Sequence, residues 1–423
     1  MIATALLALA LGGGAVDTIP RLTLDEALTR AARVDPNYVR ALGNVSSADW
    51  ARRSALATFV LPSLTLSSDY TFFSTEQFNI GIGAPASTIV AARADVRFGL
   101  FTGGRKSAEL KRARAEQEGA EATEVQARFG VALATEADFY AVLGGQELLQ
   151  VANDRVSRAE SQLVVARARV VSGAVVQTDS LQVLLELNQA RIGLLREEAA
   201  VLVARLSLGR RVGVGGPVDV APTDTTLPEL PLGLPQAVEL AALEGPDYRI
   251  ALANERQAEA FVKSQRASYF PQLSLGANLS SFDDRFFPDA LSRSSLTISL
   301  SFPVWDGFQR ELAINRARTT LDVARAQRED ALRATAVDVT QAYSAYQTAR
   351  QTAEVSSQAV SIAQENFRVQ EARYRAGAST ILDLLEAQTR LTEAQAQLVQ
   401  SRYAARLALA GLEALLGRRL FRD

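Results

Sequence analysis

The chain of 423 residues has no cysteine and no histidine. Disulfides, thiolate nucleophiles and the Ser-His-Asp arrangement are thereby excluded, and nearly every transition-metal site loses its usual ligands. Lysine is almost missing as well: Lys106, Lys111 and Lys263 are the only three. The remaining basic charge is arginine spread along the sequence, with 45 basic residues standing against 47 acidic ones. That balance gives no phosphate-tracking patch, so no nucleic acid is expected as a partner. No paired carboxylate, metal cluster or phosphate loop sits on a compact domain, and neither catalysis nor a cofactor is expected. Also lacking is a long apolar run. No stretch reaches the length of a transmembrane helix, so a bilayer could be crossed only by strands.

What is present is helix-forming material. Hydrophobic residues make up 48% of the chain, and most are Ala, Leu and Val mixed with Arg, Glu and Gln, the composition of long helices. Residues 1–15, MIATALLALALGGGA, form a short apolar run ending in small residues, as a secretory signal peptide does. Its basic start is missing, so a late start codon or a soluble N-terminal strand is the competing reading.

The chain is written twice. LDEALTRAARVDPNYVRAL (24–42) recurs as LPQAVELAALEGPDYRIAL (234–252), matching Pro36 to Pro246 and Tyr38 to Tyr248. In the same register LPSLTL (61–66) recurs as FPQLSL (270–275), LFTGGR (100–105) as VWDGFQ (304–309), and VVSGAVVQTD (170–179) as YRAGASTILD (374–383). The copies are assigned to residues 16–211 and 232–423, joined by a Gly- and Pro-rich linker over 212–231 that reads as irregular.

Each copy carries the same order of signals. A short helix opens it, marked by the capping-box pattern Thr23/Glu26 in the first copy and by Pro235 in the second. Asp35-Pro36 and Gly245-Pro246 then break and restart the helix. Period-two segments predict strands at about 62–73 and 89–101, and again at about 271–281 and 292–304. Leu66, Tyr70 and Phe72 share one face against Thr65, Ser67 and Asp69; Leu296, Ile298 and Leu300 oppose Thr297 and Ser299. Such alternation fits transmembrane barrel strands and equally a soluble sandwich.

Beyond the strands no proline occurs from 103 to 170 or from 308 to 376. Heptad spacing of Leu332, Val339, Tyr346, Ala353, Phe367 and Tyr374, answered by Leu384, Leu391, Ala405 and Leu412, predicts an antiparallel helical hairpin over about 308–416. Val142, Leu163, Leu187, Val201 and Leu208 predict its counterpart over about 103–208. The return arms are too short to cover the long ones, and the helices preceding the strands could stack on them end to end. Four strands cannot close a barrel, and a free sheet edge in lipid leaves backbone groups unpaired at several kcal/mol each. Two copies would give eight strands around a filled interior, and three would give twelve around a lumen.

The doubled strand-strand-helix-turn-helix order, the glycine of each turn followed six residues later by aspartate (Gly173 to Asp179, Gly377 to Asp383) and the Asp383/Glu386 pair resemble the TolC family of outer-membrane efflux proteins. The resemblance covers essentially the whole mature chain. It implies a mostly α protomer with a small transmembrane β part. Three such protomers would form a homotrimer with a 12-stranded β-barrel, continued through the periplasm by an α-helical coiled-coil barrel. The linker and C-terminal segment would form an equatorial belt. The implied protein is a passive exit duct of the outer membrane, serving a tripartite efflux pump or a type I secretion system. Its implied partners are a periplasmic adaptor (membrane fusion protein), an inner-membrane pump and outer-membrane lipid.

Asp383 and Glu386 lie three residues apart just past the Gly377 turn, on one face of the return helix. In the family this position lines the closed periplasmic mouth, and three-fold symmetry would make acidic rings that attract cations. The plainer reading is that acids near a helix N-terminus offset its dipole; against it stands an acid at the matching site of the other copy, Asp179. By the same resemblance Thr178, Asp179, Tyr374 and Arg402 match positions that hold the mouth shut. Ser379 stands where the family's best-known channel has arginine, which removes one charged restraint. The turns at Gly173 and Gly377 are candidate docking points for an adaptor hairpin, and glycine C-caps in any case.

Two rival readings stay in view. A periplasmic adaptor has one hairpin per chain and flanking soluble β domains. A coiled-coil structural protein of the cell envelope explains the heptads but not strands at fixed places in each copy.

Overall fold

The computed structural model describes residues 19–79, 83–223, 226–283 and 291–421; the signal segment expected at 1–15 lies outside the described residues. A short strand β1 (Arg21–Leu22) leads into α1 (Leu24–Val34), whose start is closed reciprocally: Glu26 N–H donates to the Thr23 hydroxyl and Thr23 N–H to the Glu26 carboxylate. Asp35 then caps α2 (Pro36–Val60) by accepting from the N–H groups of Asn37 and Tyr38, while Pro36 fills a position that needs no donor. β2 (Ser63–Asn79) and β3 (Ala84–Phe101) form a hairpin, and α3 (Arg105–Val171) reverses into α4 (Gln177–Arg211). After β4 (Asp219–Val220) the series repeats as α5 (Leu234–Glu244), α6 (Pro246–Arg266), β5 (Gln272–Asp283), β6 (Leu291–Ser301), α7 (Gln309–Arg375) and α8 (Ile381–Leu416). The long helices α3 and α7 have 67 residues each, about 100 Å at the α-helical rise.

β2, β3, β5 and β6 lie in that order in one antiparallel sheet. Leu66, Tyr70, Phe72, Leu296, Ile298 and Leu300 project from its apolar face and are exposed on the single chain. β2 and β3 outrun the period-two prediction, to Asn79 and from Ala84. Their pairing shifts between Phe72 and Gln77, and a register slip moves side chains to the other face, which hides the strand from an alternation search. β6 ends at Ser301, short of the predicted 304, because Pro303 has no N–H to continue the ladder.

The helices form a layered row. Near the sheet the lateral order is α2, α3, α6, α7; further from it the order is α4, α3, α8, α7. Small residues permit the approach, as where a Cβ on Gly119 of α3 would sit 3.2 Å from the Cβ of Ala253 on α6. Return helices and pre-strand helices meet end to end: a Cβ on Gly417, just past α8, would lie 3.2 Å from Pro246 at the start of α6, and one on Gly213, just past α4, 3.1 Å from Val34 of α1. The heptad residues Val142, Leu187, Val201, Leu208, Val339, Tyr346, Tyr374, Leu384, Leu391, Ala405 and Leu412 are buried. Leu332, on the same helix as Val339 and Tyr346, is exposed instead. α4 also runs past its predicted end at 208. Gly209 does not cap the helix; a Cβ there would collide with the Gly216 carbonyl oxygen, and the left-handed residue that ends the helix is Gly213, at φ +77°.

About midway along the helices the linker closes an equatorial core. β1 and β4 pair in parallel, and Leu22, Val218 and Val220 pack with Phe139, Tyr140, Leu208 and Tyr403. The linker expected to be irregular therefore supplies a strand. Its later part is pinned to α7, where the Tyr346 hydroxyl donates to the Pro228 carbonyl at 2.5 Å and Arg350 pairs with Glu229 at 2.9 Å.

Candidate gate at the hairpin tips

Both hairpins reverse by the same device. Gly173 N–H donates to the Val170 carbonyl and Ala174 N–H to that of Arg169; Gly377 N–H donates to the Tyr374 carbonyl and Ala378 N–H to that of Arg373. With Gly173 and Gly377 at φ +74° and +78°, these are matching Schellman turns. The tips differ in surface, since Val171 and Val176 project into solvent on the first while Arg373 and Arg375 flank the second.

Behind the tips the two hairpins share one core, in which Ala166, Val183 and Leu187 meet Phe367, Tyr374, Ile381 and Leu384. Tyr374 is only 2% exposed. The Arg169 guanidinium of α3 lies 4.6 Å over the Tyr374 ring and donates to the Tyr374 carbonyl, crossing from one hairpin to the other. Burial pushes the Tyr374 phenol up, the Asp179 carboxylate pushes it the same way, and Arg169 opposes them. Tyr374, Asp179 and Arg169 thus form one cluster. Sequence reasoning missed Arg169, because an arginine in the last turn of a helix reads as a dipole cation and nothing in its spacing points across the tip. Deeper in, Glu186 pairs with Arg155 at 2.7 Å and accepts from the fully buried Gln388 of α8 at 3.5 Å.

Asp383 carries a local duty. Its carboxylate accepts from the Thr380 N–H at 2.9 Å and the Thr380 hydroxyl at 2.8 Å, while its own N–H donates back to that hydroxyl. These bonds, with the charge of Arg373, hold its carboxyl below the usual range. Glu386 is exposed, 3.8 Å from Arg390. In the first copy Gln182 stands at its place, so only the first acid of the pair recurs. Thr178 is exposed beside Asp179, and Ser379 donates to the Gln370 carbonyl at 3.5 Å.

Arg402 belongs elsewhere. It follows Asp383 by nineteen residues on α8, about 28 Å along the helix axis. There it lies 3.2 Å from Glu147, while the adjacent Tyr403 stacks on Tyr140. It braces the equatorial core, not the tips; a match of helix positions identifies a face, and a face runs the whole length of the helix.

A four-stranded sheet with one apolar and one polar face is mounted here on two long antiparallel helical hairpins, an arrangement that fits a membrane protein anchored by strands. Among the described residues no helix is long and apolar enough to cross a membrane. The chain belongs to the family described as outer membrane efflux protein, which it matches over residues 24–214 and 237–418. It is accordingly a protein of the outer membrane whose helices extend into the periplasm. It is similar to the pyoverdine export outer membrane protein OpmQ of Pseudomonas putida, with 30% identity over 295 residues that cover 64% of this chain and 56% of OpmQ. It is also similar to protein CyaE of Bordetella pertussis, with 29% identity over 188 residues, or 44% and 40% of the two chains. The matched stretch spans about half the length of these curated relatives. In fold it resembles CusC, with TM-score 0.79 and 17% identity over 97% of this chain and 96% of that one. The outer membrane protein VceC of Vibrio cholerae gives 0.77 and 17% over 94% and 97%. The family and these neighbours are channel proteins.

Proposed function

We propose that three copies of this chain close into a passive exit duct through the outer membrane, opened at its periplasmic tip and catalysing no reaction. One observation carries the reading: every layer leaves the same two flanks free, β2 and β6 in the sheet, α2 and α7 next to it, α4 and α7 toward the tips. A first-copy flank meeting the second-copy flank of another molecule is a heterologous contact that closes into a ring. Three copies give twelve strands in a barrel about 24 Å across between backbones at ordinary strand spacing and tilt, around a lumen narrowed by the inward side chains. The helical flanks carry apolar stripes to match. Leu181, Leu185, Ile192, Leu195, Leu202 and Leu206 repeat in four-three spacing on the outside of α4, and Val355, Ile362 and Val369 on the outside of α7. Residues 16–211 and 232–423 act as half-protomers, with the 212–231 linker in an equatorial belt. A periplasmic adaptor, itself joined to an inner-membrane pump, meets the exposed turns at Gly173 and Gly377. The test is direct: the purified chain should run as a heat-resistant trimer and give one uniform conductance in planar bilayers. A monomer that conducts nothing would end the reading.

The tip cluster acts as the closed-state latch. Arg169→Ala removes a cation–π contact and a charged hydrogen bond, together about 2 kcal/mol, and should shift the closed-to-open ratio by roughly tenfold or more. Unchanged open times in single-channel records would rule the latch out. The carboxylates beside the turns set ion preference: replacing Asp383 and Glu386 together by Ala should lower cation over anion selectivity, read as a reversal potential under a salt gradient. An unmoved reversal potential would leave Asp383 with its capping role alone.

A further inference from the structure

The polar face of the sheet carries a charge pattern that a simple conduit does not require. Across the strands, lumen-side residues pair in rows: Ser63, Arg97, Gly276 and Thr297 in one; Thr65, Asp95, Asn278 and Ser295 in the next; Ser67, Arg93, Ser280 and Arg293 in the third. Two described acids of this wall are engaged, Asp95 by the Asn278 amide at 3.0 Å and Asp69 by Arg93 at 3.1 Å. Arg97 and Arg293 form no ion pair with any described residue. Each is flanked across the sheet by serine, threonine or glycine, whose small side chains leave the guanidinium free to reach into the lumen.

We infer that this wall is an anion-binding collar, a site for solutes bearing several phosphate, sulfate or carboxylate groups, placed beyond the acidic mouth and opposite to it in sign. The inference rests on the ring closure proposed above. In a closed barrel the third row contributes six arginines in one band, the three copies of Arg93 each sharing an ion pair with Asp69, with three copies of Arg97 four residues nearer the periplasm. Guanidinium stays ionised at any working pH and grips oxyanions with two parallel donors. A narrow lumen walled by protein and lipid concentrates that field. Arg93 and Arg293 stand two strands apart, about 10 Å, so one monovalent anion cannot bridge them and an extended polyanion can. The hydroxyl of Ser67, beside Arg93, supplies a further donor, while that of Ser280 donates to the Arg293 carbonyl.

The test uses trimers in planar bilayers, with tripolyphosphate added on the extracellular side as the probe. Current through the parent channel should be blocked. Arg93→Ser combined with Arg293→Ser should raise the half-blocking concentration about tenfold or more, and the corresponding pair of lysine substitutions should retain most of the block. Arg293→Gln alone breaks no described ion pair, and it serves if the double serine variant does not assemble; an increase of about threefold is expected. Equal block in the parent and the arginine variants, at unchanged conductance, overturns the collar and leaves the duct standing. A parent chain that conducts nothing overturns both.

Discussion

With glutamate at Leu185 and Ile192, the trimer is expected not to form. Both side chains lie on the outer stripe of α4, 59% and 51% exposed on the single chain, so the hairpin core formed by Val183, Leu187 and their neighbours stays intact in the variant. In the ring the same positions face α7 of the next copy, where Val355, Ile362 and Val369 offer no cation on the stripe. Each carboxylate brought into that seam costs several kcal/mol unless it is paired, and three interfaces carry two apiece. The loss should appear as a monomer band in unboiled samples with helical circular dichroism unchanged. A trimer of parental heat resistance would show that α4 is not an interface, and the lateral order would need another partner.

That stripe explains why the helices were only half legible as sequence. A hairpin helix in a closed ring needs two apolar seams, one for its own partner and one for the neighbouring copy. The inner seam of Val339, Tyr346, Tyr374, Leu384 and Leu391 is the stronger heptad and is buried within the chain. Leu181, Leu185, Ile192 and Leu195 repeat beside the inner positions Val183, Leu187 and Ala190, so the two periods overlap and the outer one is masked. The duplication was readable because punctuation survives divergence: Pro36 and Pro246 start equivalent helices, and Gly173 and Gly377 hold the same positive φ. Where the second copy lost its glycine the backbone stayed, since Phe308, the counterpart of Gly104, still adopts φ +66°.

The site was legible in position more than in role. Thr380 and Asp383 spell a capping box, yet an acid beside a turn at the mouth of a tube reads first as a pore charge, and the geometry allows both. Arg169 was invisible because its contact is tertiary and joins residues 205 apart in the chain. Arg402 was misplaced for the opposite reason, since a resemblance of positions carries no height along the helix, and nineteen residues of α8 separate it from Asp383.

The C-terminal segment should prove the most pH-dependent part of the molecule once Arg419 is removed. Glu136 of α3 and Glu413 of α8 are buried, 4% and 3% exposed, and Arg419 reaches both, at 2.8 and 3.2 Å, while the Leu420 N–H donates to Glu413 at 2.7 Å. Burial pushes the Glu136 carboxyl up, Arg419 is the chief opposing influence, and the charge of Glu413 adds to the rise. Arg419→Ala leaves two buried acids in one site, with Arg406 as the remaining opposing charge on Glu136. The cost should be about 2–3 kcal/mol, the lower part of the range for an unpaired buried charge because the arginine side chain is itself partly exposed. The sign follows from linkage. A carboxyl whose folded pKa lies above its unfolded value keeps its proton in the native state over that window, so stability is full below the unfolded value and is lost as pH rises through the folded one. The variant's deficit, read as the temperature at which the detergent-solubilised trimer dissociates, should be largest near pH 8 and shrink toward pH 5, with Arg419→Lys intermediate. An equal deficit at both ends would assign the loss to the packing of the segment around Leu420, because a missing contact between neutral groups has no proton to gain.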